Sequence, residues 1–466
     1  MTASGAAPRT VLDLIGNTPL VPLNRVASAV PYRLLAKLEF LNPGGSVKDR
    51  IGASMVDDAE ARGLLKPGGT IIEATSGNTG VGLAMVAAVR GYRSVFVLPD
   101  KMSSEKIRLL RAYGARVIVT PSELPPDHPL SHYSVAKRLA KEIPNSFYAN
   151  QFENPFNPSA HYRTTGPEIA RDAGERLAAV VATVGTGGTL SGVARYLKEH
   201  RPNVRTVAVD PKGSIIGPYF HSHQLVAARP YLVEGIGEDM IPKTMHFEFV
   251  DEFVEVDDRD SFAMARRLGR EEGLFVGGSS GSAVVGALKW LASRPVPEGS
   301  VVVVILPDSG DRYLSKFYSD EWLREKGMLA EPGSARELVA SKGPVPALVS
   351  VEPTALVRDA LALLREHGFS QLPVFDGPHN SGSLTEEELL RRVVQDDTVL
   401  QRPVRSVVGP PFPEVAAGAP VGEILQRLRT ERALIVREGD GGPAIGLLTR
   451  SDLLSFLGQY GGLNAV

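Results

Sequence analysis

The 466-residue chain has 43% hydrophobic residues and a formal net charge of −2, so its composition is that of a globular protein. The near-neutral charge gives no support to electrostatic nucleic-acid binding, and the absence of cysteine excludes disulfides, thiolate metal sites, iron–sulfur clusters and a catalytic cysteine. The apolar runs, such as Val301–Leu306, are too short to cross a bilayer, and the N-terminal residues lack the apolar core of a signal peptide. We therefore expect a cytoplasmic protein of two or three domains, with no membrane or nucleic-acid partner.

The first 320 residues alternate short apolar segments with segments of helical length. This alternation predicts an α/β fold with a mostly parallel sheet that is covered on both faces. Ligands of such sheets bind in the loops that follow the strands. The predicted strands are Thr70–Ile72, Ser94–Leu98, Val117–Thr120, Val180–Thr183, Thr206–Val209 and Val301–Leu306, and the helices between them include Val81–Arg90, Ser104–Tyr113, Ser191–Glu199 and Ser261–Glu272.

The segment 42–50, Asn-Pro-Gly-Gly-Ser-Val-Lys-Asp-Arg, places Lys48 at a predicted helix start. Ser46 and Asp49 have the spacing of a capping box, which predicts a helix through Ile51–Arg62. The positive end of that helix disfavours an ammonium group and lowers the pKa of the Lys48 amine, which suits a nucleophile or a base. A surface lysine at a helix start is the alternative interpretation.

Three loops that are rich in glycine and hydroxyl residues also precede predicted helices, in segments 73–80, 184–192 and 277–282. Backbone N–H groups at a helix N-terminus can bind a carboxylate or a phosphate, although each loop alone could be a plain capped turn. The loop 184–192 lacks the lysine of a P-loop and departs from the dinucleotide-binding pattern at Leu190. The sequence of this loop therefore favours the binding of a single phosphate group.

His128 and His132 are four residues apart, a spacing that zinc ligands on a helix share. Pro129 lies between them and no glutamate follows His128, which favours a plain loop over a metal site. One lysine and three anion-binding loops, without a convincing metal cluster, favour pyridoxal 5′-phosphate. This aldehyde cofactor carries one phosphate and forms a Schiff base with lysine.

The composition changes near residue 325, and an internal repeat follows. The run Gly382–Leu389 recurs as Gly446–Leu453, and each copy follows a predicted helix and a short apolar strand. Two copies of one unit usually bury their apolar faces on each other. The helices are Leu356–Glu366 and Val421–Arg429, and the strands are Gln371–Phe375 and Ala433–Val436.

Four motifs in this order resemble the β-family, or fold type II, of pyridoxal-phosphate enzymes: Ile15–Leu20, Gly45–Arg50, Thr75–Gly80 and Gly185–Thr189. Glu234–Asp239 and Pro307–Tyr313 resemble the cystathionine β-synthase branch of that family, and the C-terminal repeat resembles a tandem pair of CBS domains, called a Bateman module. The resemblance implies a catalytic domain of two parallel-type α/β subdomains at residues 1–325. A linker would follow at 326–344, and CBS domains at 345–400 and 401–466.

The resemblance also implies a role for each motif residue. Lys48 would bind the cofactor aldehyde and move protons at the substrate Cα. Asn78 would hydrogen-bond the ring hydroxyl oxygen of the cofactor, and Ser279 would face the pyridine nitrogen. The cofactor phosphate is expected at Gly185, Thr186, Gly187, Gly188 and Thr189, and the substrate α-carboxylate at Thr75, Ser76, Thr79 and Gln151.

The reaction that the resemblance implies is a β-replacement, in which L-serine loses its hydroxyl and L-homocysteine adds its sulfur to give L-cystathionine and water. An alternative in the same class is a cysteine synthase that uses O-acetylserine and sulfide, and the tandem repeat argues against it. An alternative of another class is an adenosyl-ligand sensor with an inactive cofactor domain. The presence of Lys48, Asn78 and Ser279 argues against that interpretation.

Two departures from the animal members of this branch affect the expectations. Those members carry an N-terminal haem-binding segment with Cys and His ligands. Here only a few residues precede the first motif and the chain has no cysteine, so we expect no haem. Animal members also tend to have an aromatic residue where Glu238 stands, which leaves the contacts to the second substrate open.

The CBS pair predicts a regulatory ligand. Each copy ends in Gly-x-x-Thr-x-x-acid between a strand and a helix, an arrangement that suits an anion or a polar ligand, and the acid can accept both hydroxyls of a ribose. The resemblance implies an adenosyl ligand, S-adenosylmethionine, bound mainly by Thr449 and Asp452, with Thr385 as the equivalent residue of the first copy. It also implies a homodimer or a homotetramer.

Overall fold

The computed structural model describes residues 9–28, 30–75, 77–125, 127–329, 333–342, 346–439 and 441–459. The chain divides into two compact units, Met1–Trp322 and Leu323–Val466. Within the described ranges, no helix is both long enough and apolar enough to cross a membrane.

The N-terminal unit is an α/β structure with two sheets. Its strands are β1 Leu20–Pro22, β2 Arg33–Leu38, β3 Thr70–Ala74, β4 Arg93–Pro99, β5 Arg116–Thr120, β6 Ser146–Tyr148, β7 Leu177–Thr183, β8 Arg205–Pro211, β9 Glu252–Val256 and β10 Val301–Leu306. Its helices are α1 Lys48–Ala61, α2 Asn78–Arg90, α3 Ser104–Ala112, α4 His132–Glu142, α5 Phe156–Arg163, α6 Thr165–Ala173, α7 Gly188–His200, α8 Ile216–Ser222, α9 Asp258–Glu272 and α10 Gly278–Ser293. A short helix, α11 Asp320–Glu325, runs across the boundary between the units.

The larger sheet has the strand order β1-β2-β10-β7-β8-β9 and is parallel except for β1. Its central strand β10 pairs with β2 on one side and with β7 on the other, and every residue of β10 is buried. Helices cover both faces of such a sheet, which explains why its central strands β7 and β10 are apolar runs without alternation. The expected α/β fold and all six predicted strands of this unit are confirmed.

The smaller sheet has the order β5-β4-β3-β6, and its strands are all parallel. Because parallel strands end at the same edge, the loop 75–80 after β3 and the loop 184–188 after β7 each lie at the carboxyl edge of their sheet.

Helices α1 and α2 pack against each other without side chains at their crossing. A Cβ added at Gly82 would lie 2.7 Å from the Lys48 carbonyl oxygen, and a Cβ added at Gly52 would lie 2.7 Å from the Gly82 carbonyl carbon. This contact places the first turn of α1, with Lys48, directly beside α2, whose first residue is Asn78.

A buried ion network joins α1 to elements of the larger sheet. The Arg50 guanidinium pairs with Glu39 and with Glu168, each at 2.7 Å, and Lys37 Nζ pairs with Glu168 Oε2 at 2.7 Å. Thr18 donates its hydroxyl to Glu39 Oε1 at 2.6 Å. Removing one partner of such a network leaves a buried charge uncompensated, so the network fixes the position of α1.

The C-terminal unit contains two copies of a hairpin followed by a helix. Its strands are β11 Gln371–Asp376, β12 His379–Thr385, β13 Glu414–Ala416, β14 Ala433–Arg437 and β15 Ala444–Thr449, and its helices are α12 Ala335–Ala340, α13 Val357–His367, α14 Glu386–Gln395, α15 Val421–Thr430 and α16 Arg450–Gln459.

The two hairpins share their register. β11 and β12 are antiparallel with Gln371 opposite Thr385, and β14 and β15 are antiparallel with Ala433 opposite Thr449. Each pairing also shifts near its end, after Val374 in one copy and after Val436 in the other. The predicted linker contains α12, whose buried residues pack with Ile424 of the second copy.

We expect Gly82→Ala to destabilise the protein by about 1–3 kcal/mol, because the added methyl group overlaps the backbone of α1. Gly269→Ala in α9 is the control, since no atom lies closer than 3.9 Å to the added Cβ. It should stabilise by roughly 0.5–1 kcal/mol through helix propensity. Unfolding in urea measures both. Equal effects of the two substitutions would contradict the close crossing of α1 and α2.

We expect the Glu168 carboxylate to make stability sensitive to acid. Burial raises its pKa, but the hydrogen bonds and charge of Arg50 outweigh that effect and lower the pKa from 4.5 to about 2. The stabilisation is therefore complete above pH 4.5 and is lost as the pH falls from 4.5 towards 2. Glu168→Gln should flatten the pH dependence of the unfolding free energy in this window, whereas the exposed control Glu142→Gln should not. Parallel curves for all three proteins would refute the assignment.

Candidate active site

A narrow cleft opens at the carboxyl ends of β7 and β10. Its lining brings together three residues that sequence analysis took from separate loops: Lys48, Asn78 and Ser279. Gly185, Thr186, Gly187 and Thr189 of the glycine-rich loop line the same cleft.

Helix α1 begins at Lys48, but the expected capping box is wrong. Ser46 Oγ accepts the Lys48 N–H at 3.2 Å, whereas the Asp49 carboxylate accepts the Gly44 N–H at 2.6 Å. Gly45 has a φ of +79°, so the chain turns back and brings the Gly44 N–H to Asp49. The capping interaction of Asp49 is thus made with the preceding turn.

The Lys48 amine points at the glycine-rich loop, with Nζ 3.4 Å from Thr186 Oγ1. Burial lowers its pKa to about 8, although the charges of Glu238 and Asp308 oppose that shift. The expected direction of the shift agrees with the structure. Its main cause is desolvation, however, and not the helix dipole that the sequence suggested. An amine with this pKa is partly neutral near physiological pH and can act as a nucleophile or a base.

The loop between β7 and α7 has the shape of a main-chain cradle. Gly187 has a φ of +77°, a Cβ at Gly185 would lie 2.7 Å from the Gly235 carbonyl oxygen, and a Cβ at Gly188 would lie 2.0 Å from Asn157 Oδ1. The first N–H groups of α7 have no acceptor within their helix and carry its positive end. These residues fit a phosphate monoester.

Asn78 and Ser279 lie at the first turns of α2 and α10. Asn78 Nδ2 donates to Asp308 Oδ2 at 2.7 Å, and Asn78 Oδ1 accepts from the Arg312 guanidinium. Ser279 is 4% exposed. The cleft therefore presents an amine, an amide and a hydroxyl next to the phosphate cradle, which fits the polar groups of pyridoxal 5′-phosphate.

Of the residues expected to bind the substrate carboxylate, Thr75 and Thr79 follow β3 and Gln151 follows β6. Thr75 Oγ1 accepts the Gly77 N–H at 3.0 Å, and Thr79 Oγ1 donates to Gln151 Oε1 at 2.5 Å. The structure thus brings Thr79 and Gln151 together from two loops. Ser76 lies outside the described residues.

Sequence reasoning missed several residues that hold the site together. Asn157 Nδ2 donates to the Gln151 carbonyl at 2.7 Å and to Thr186 Oγ1 at 3.1 Å. Asn157 therefore connects the segment that contains Gln151 to the glycine-rich loop. Glu234 lines the cleft and pairs with the fully buried Lys106 at 2.8 Å. The local sequence around Asn157 and Lys106 gave no signal, because their partners are far away along the chain.

In the C-terminal unit, the predicted ligand residues are helix caps. Thr385 Oγ1 accepts the Glu388 N–H at 3.3 Å. Thr449 Oγ1 donates to Asp452 Oδ2 at 2.7 Å, and the other Asp452 oxygen pairs with Lys342 at 3.2 Å. The Lys342 contact was not expected from the sequence, since Lys342 belongs to the predicted linker.

The family model of pyridoxal-phosphate dependent enzymes matches residues 11–308, and the model of the CBS domain matches residues 336–395 and 404–459. Among curated proteins, the cystathionine beta-synthase of Dictyostelium discoideum is 40% identical over 96% of this chain and 92% of its own. That of Mus musculus is 48% identical over 78% of this chain and 66% of its own.

Two solved structures resemble the N-terminal unit. O-ureido-L-serine synthase has a TM-score of 0.62 and 42% identity, covering 68% of this chain and 100% of its own. The O-acetylserine dependent cystathionine beta-synthase from Helicobacter pylori has a TM-score of 0.61 and 42% identity, covering 67% of this chain and 98% of its own. The chain therefore belongs to the pyridoxal-phosphate dependent enzymes, in their cystathionine β-synthase branch with two C-terminal CBS domains.

Proposed function

We propose that the enzyme joins L-serine and L-homocysteine to give L-cystathionine and water. The observation that carries this proposal is the Lys48 amine, which faces the phosphate cradle in the cleft that Asn78 and Ser279 also line. The names of the relatives from Dictyostelium discoideum and Mus musculus support the same reaction. In this reaction the serine Cβ–O bond breaks, the sulfur–Cβ bond forms, and the hydroxyl leaves as water with the thiol proton.

The cofactor supplies an electrophilic aldehyde and a sink for the electrons released at the substrate Cα. Gly185 to Thr189 bind its phosphate through main-chain N–H groups. Asn78 donates to its ring hydroxyl oxygen, and Ser279 faces its ring nitrogen. A hydroxyl does not stabilise a protonated ring as a carboxylate would, which favours loss of the β-substituent over transamination.

Lys48 moves the proton at the substrate Cα. Burial keeps part of the amine neutral near pH 8, so Nζ can accept the proton and later return it. Thr75, Ser76, Thr79 and Gln151 orient the substrate by its α-carboxylate. Thr79 and Gln151 are already hydrogen-bonded to each other, so binding exchanges one hydrogen bond for another.

A second candidate is cysteine synthase activity on O-acetylserine and sulfide. The similarity to the solved O-acetylserine dependent cystathionine beta-synthase from Helicobacter pylori supports O-acetylserine as the first substrate. A product assay that offers serine or O-acetylserine against homocysteine or sulfide tests both. Cystathionine from serine and homocysteine supports the first proposal, and cysteine from O-acetylserine and sulfide without cystathionine from serine and homocysteine overturns it.

We further propose a cytoplasmic homodimer or homotetramer that works without haem. The chain offers no cysteine thiolate to a haem iron. A haem absorption band in the purified enzyme, or a monomer by light scattering, would contradict these points.

We expect Lys48→Ala to lower turnover by at least about 10²–10⁴-fold, since it removes both the amine that binds the cofactor and the proton carrier. The exposed Lys66→Ala serves as a control with the same change of charge. Steady-state kinetics and the far-ultraviolet spectrum check activity and folding. If Lys48→Ala turned over at a rate near that of the control, the proposed role of Lys48 would be wrong.

We propose that S-adenosylmethionine binds mainly at Thr449 and Asp452, with Thr385 as the equivalent residue of the first copy. The Asp452 carboxylate can accept both hydroxyls of a ribose, but Lys342 holds one of its oxygens. Binding at this carboxylate must therefore compete with the ion pair.

We expect calorimetry to detect S-adenosylmethionine binding to the wild type and its loss in Asp452→Ala, while the exposed control Asp397→Ala binds normally. Adenosine, AMP and ATP are titrated in parallel to define which part of the ligand is recognised. Wild-type affinity in Asp452→Ala would move the site elsewhere, and no heat with any of the four ligands would leave the pair a structural module.

A further inference from the structure

The segment Pro307–Tyr313 contacts the loops that carry Lys48 and Ser279 through its backbone. The Val47 N–H donates to the Pro307 carbonyl at 2.8 Å, and the Gly277 N–H donates to the Asp308 carbonyl at 3.0 Å. The segment begins where the buried strand β10 ends, so these loops are attached to an interior strand of the larger sheet.

The side chains of the same segment hold Asn78. Asp308 is 1% exposed, and its Oδ2 accepts from Asn78 Nδ2 at 2.7 Å and from the Tyr313 hydroxyl at 2.5 Å. Arg312 is 3% exposed and donates to Asn78 Oδ1 and to the Gly44 carbonyl oxygen. A Cβ at Gly277 would lie 2.0 Å from Asp308 Oδ1, so this glycine leaves room for the carboxylate in its present position.

Asp308 and Arg312 determine the orientation of the Asn78 amide, that is, the directions in which Nδ2 and Oδ1 point. An ionised carboxylate only accepts hydrogen bonds and a guanidinium only donates them. Asn78 Nδ2 must therefore point at Asp308 and Oδ1 at Arg312, because the flipped amide would lose both hydrogen bonds. One of the two hydrogens on Nδ2 is taken by Asp308, and the second remains available on the side chain that lines the cleft.

We propose that Asp308 and Arg312 are positioning residues, which orient the Asn78 amide so that its second N–H is presented to the ring oxygen of the cofactor. This inference rests on the proposed binding of the cofactor at Asn78. Both residues act through Asn78.

A role of Asp308 and Arg312 in orienting Asn78 can be distinguished from a purely electrostatic role of their charges. Asp308→Leu removes a negative charge near the cofactor and Arg312→Met removes a positive one, so purely electrostatic roles would shift the protonation of the bound cofactor in opposite directions. Loss of orientation shifts it in the same direction in both variants. Each variant deprives the ring oxygen of a fixed donor, as Asn78→Ala does directly.

The measurement is the absorption spectrum of the purified holoenzyme without substrate. In this spectrum the protonated linkage between the cofactor and lysine absorbs at roughly 410 nm. We expect Asp308→Leu and Arg312→Met both to lower the ratio of this band to the near-ultraviolet band by about two- to tenfold, the effect of one hydrogen bond. The exposed control Asp311→Leu should keep the wild-type ratio. Thermal unfolding reports whether each variant is folded.

Each single variant leaves a buried charge, so the double variant Asp308→Leu/Arg312→Met is measured as well, because it removes one charge of each sign. A reduced ratio in the double variant supports the inference even where a single variant does not fold. Opposite shifts in the single variants, or a wild-type ratio in the double variant, overturn it while the proposed function stands. A wild-type protein that shows no visible band after loading with pyridoxal 5′-phosphate overturns the proposed function and the inference together.

Discussion

The close crossing of α1 and α2 is the constraint on which the active site depends. Gly52 and Gly82 let the two backbones touch, and this contact places the first turn of α1, with Lys48, beside α2. A methyl group at Gly82 would lie 2.7 Å from the Lys48 carbonyl oxygen and would force the two helices apart. The lack of side chains at Gly52 and Gly82 therefore sets the distance between α1 and α2. Because protein interiors are close-packed, any change in that distance would also move the residues that line the cleft.

Buried charges fix the elements around the cleft. Arg50 is held between Glu39 and Glu168, and Lys106 is held by Glu234, which lines the cleft. Buried ion pairs contribute little net stability compared with apolar replacements, since both ions must be desolvated. These ion pairs instead fix the positions of the elements that they connect, because each long side chain is held at both ends. Lys48 differs from these groups. It is desolvated without a close carboxylate partner among the described residues, and its pKa falls.

The C-terminal unit uses its Thr and acidic residues to cap helices. Thr385 and Thr449 stand at corresponding positions of two hairpins with the same register, which is the structural basis of the repeat. The copies differ in what binds the acid: Glu388 is paired with arginines of its own helix, whereas Asp452 is paired with Lys342, which follows α12. A ligand at Asp452 would therefore change a contact with Lys342, which lies within the first stretch matched by the CBS domain model, residues 336–395.

The sequence by itself determined the local features of this protein. Continuous apolar runs such as Val301–Leu306 predicted the buried parallel strands, and the glycine-rich loop 184–192 predicted a turn before a helix, which lines the cleft, because both depend on residues adjacent in the chain. It missed β2, where Lys37 interrupts the apolar run, and the three-residue β6. Only the tertiary structure decided the hydrogen bonds of Asn78 with Asp308 and Arg312, and the desolvation of Lys48. Such contacts join distant segments and depend on how the chain crosses itself, which no local pattern encodes.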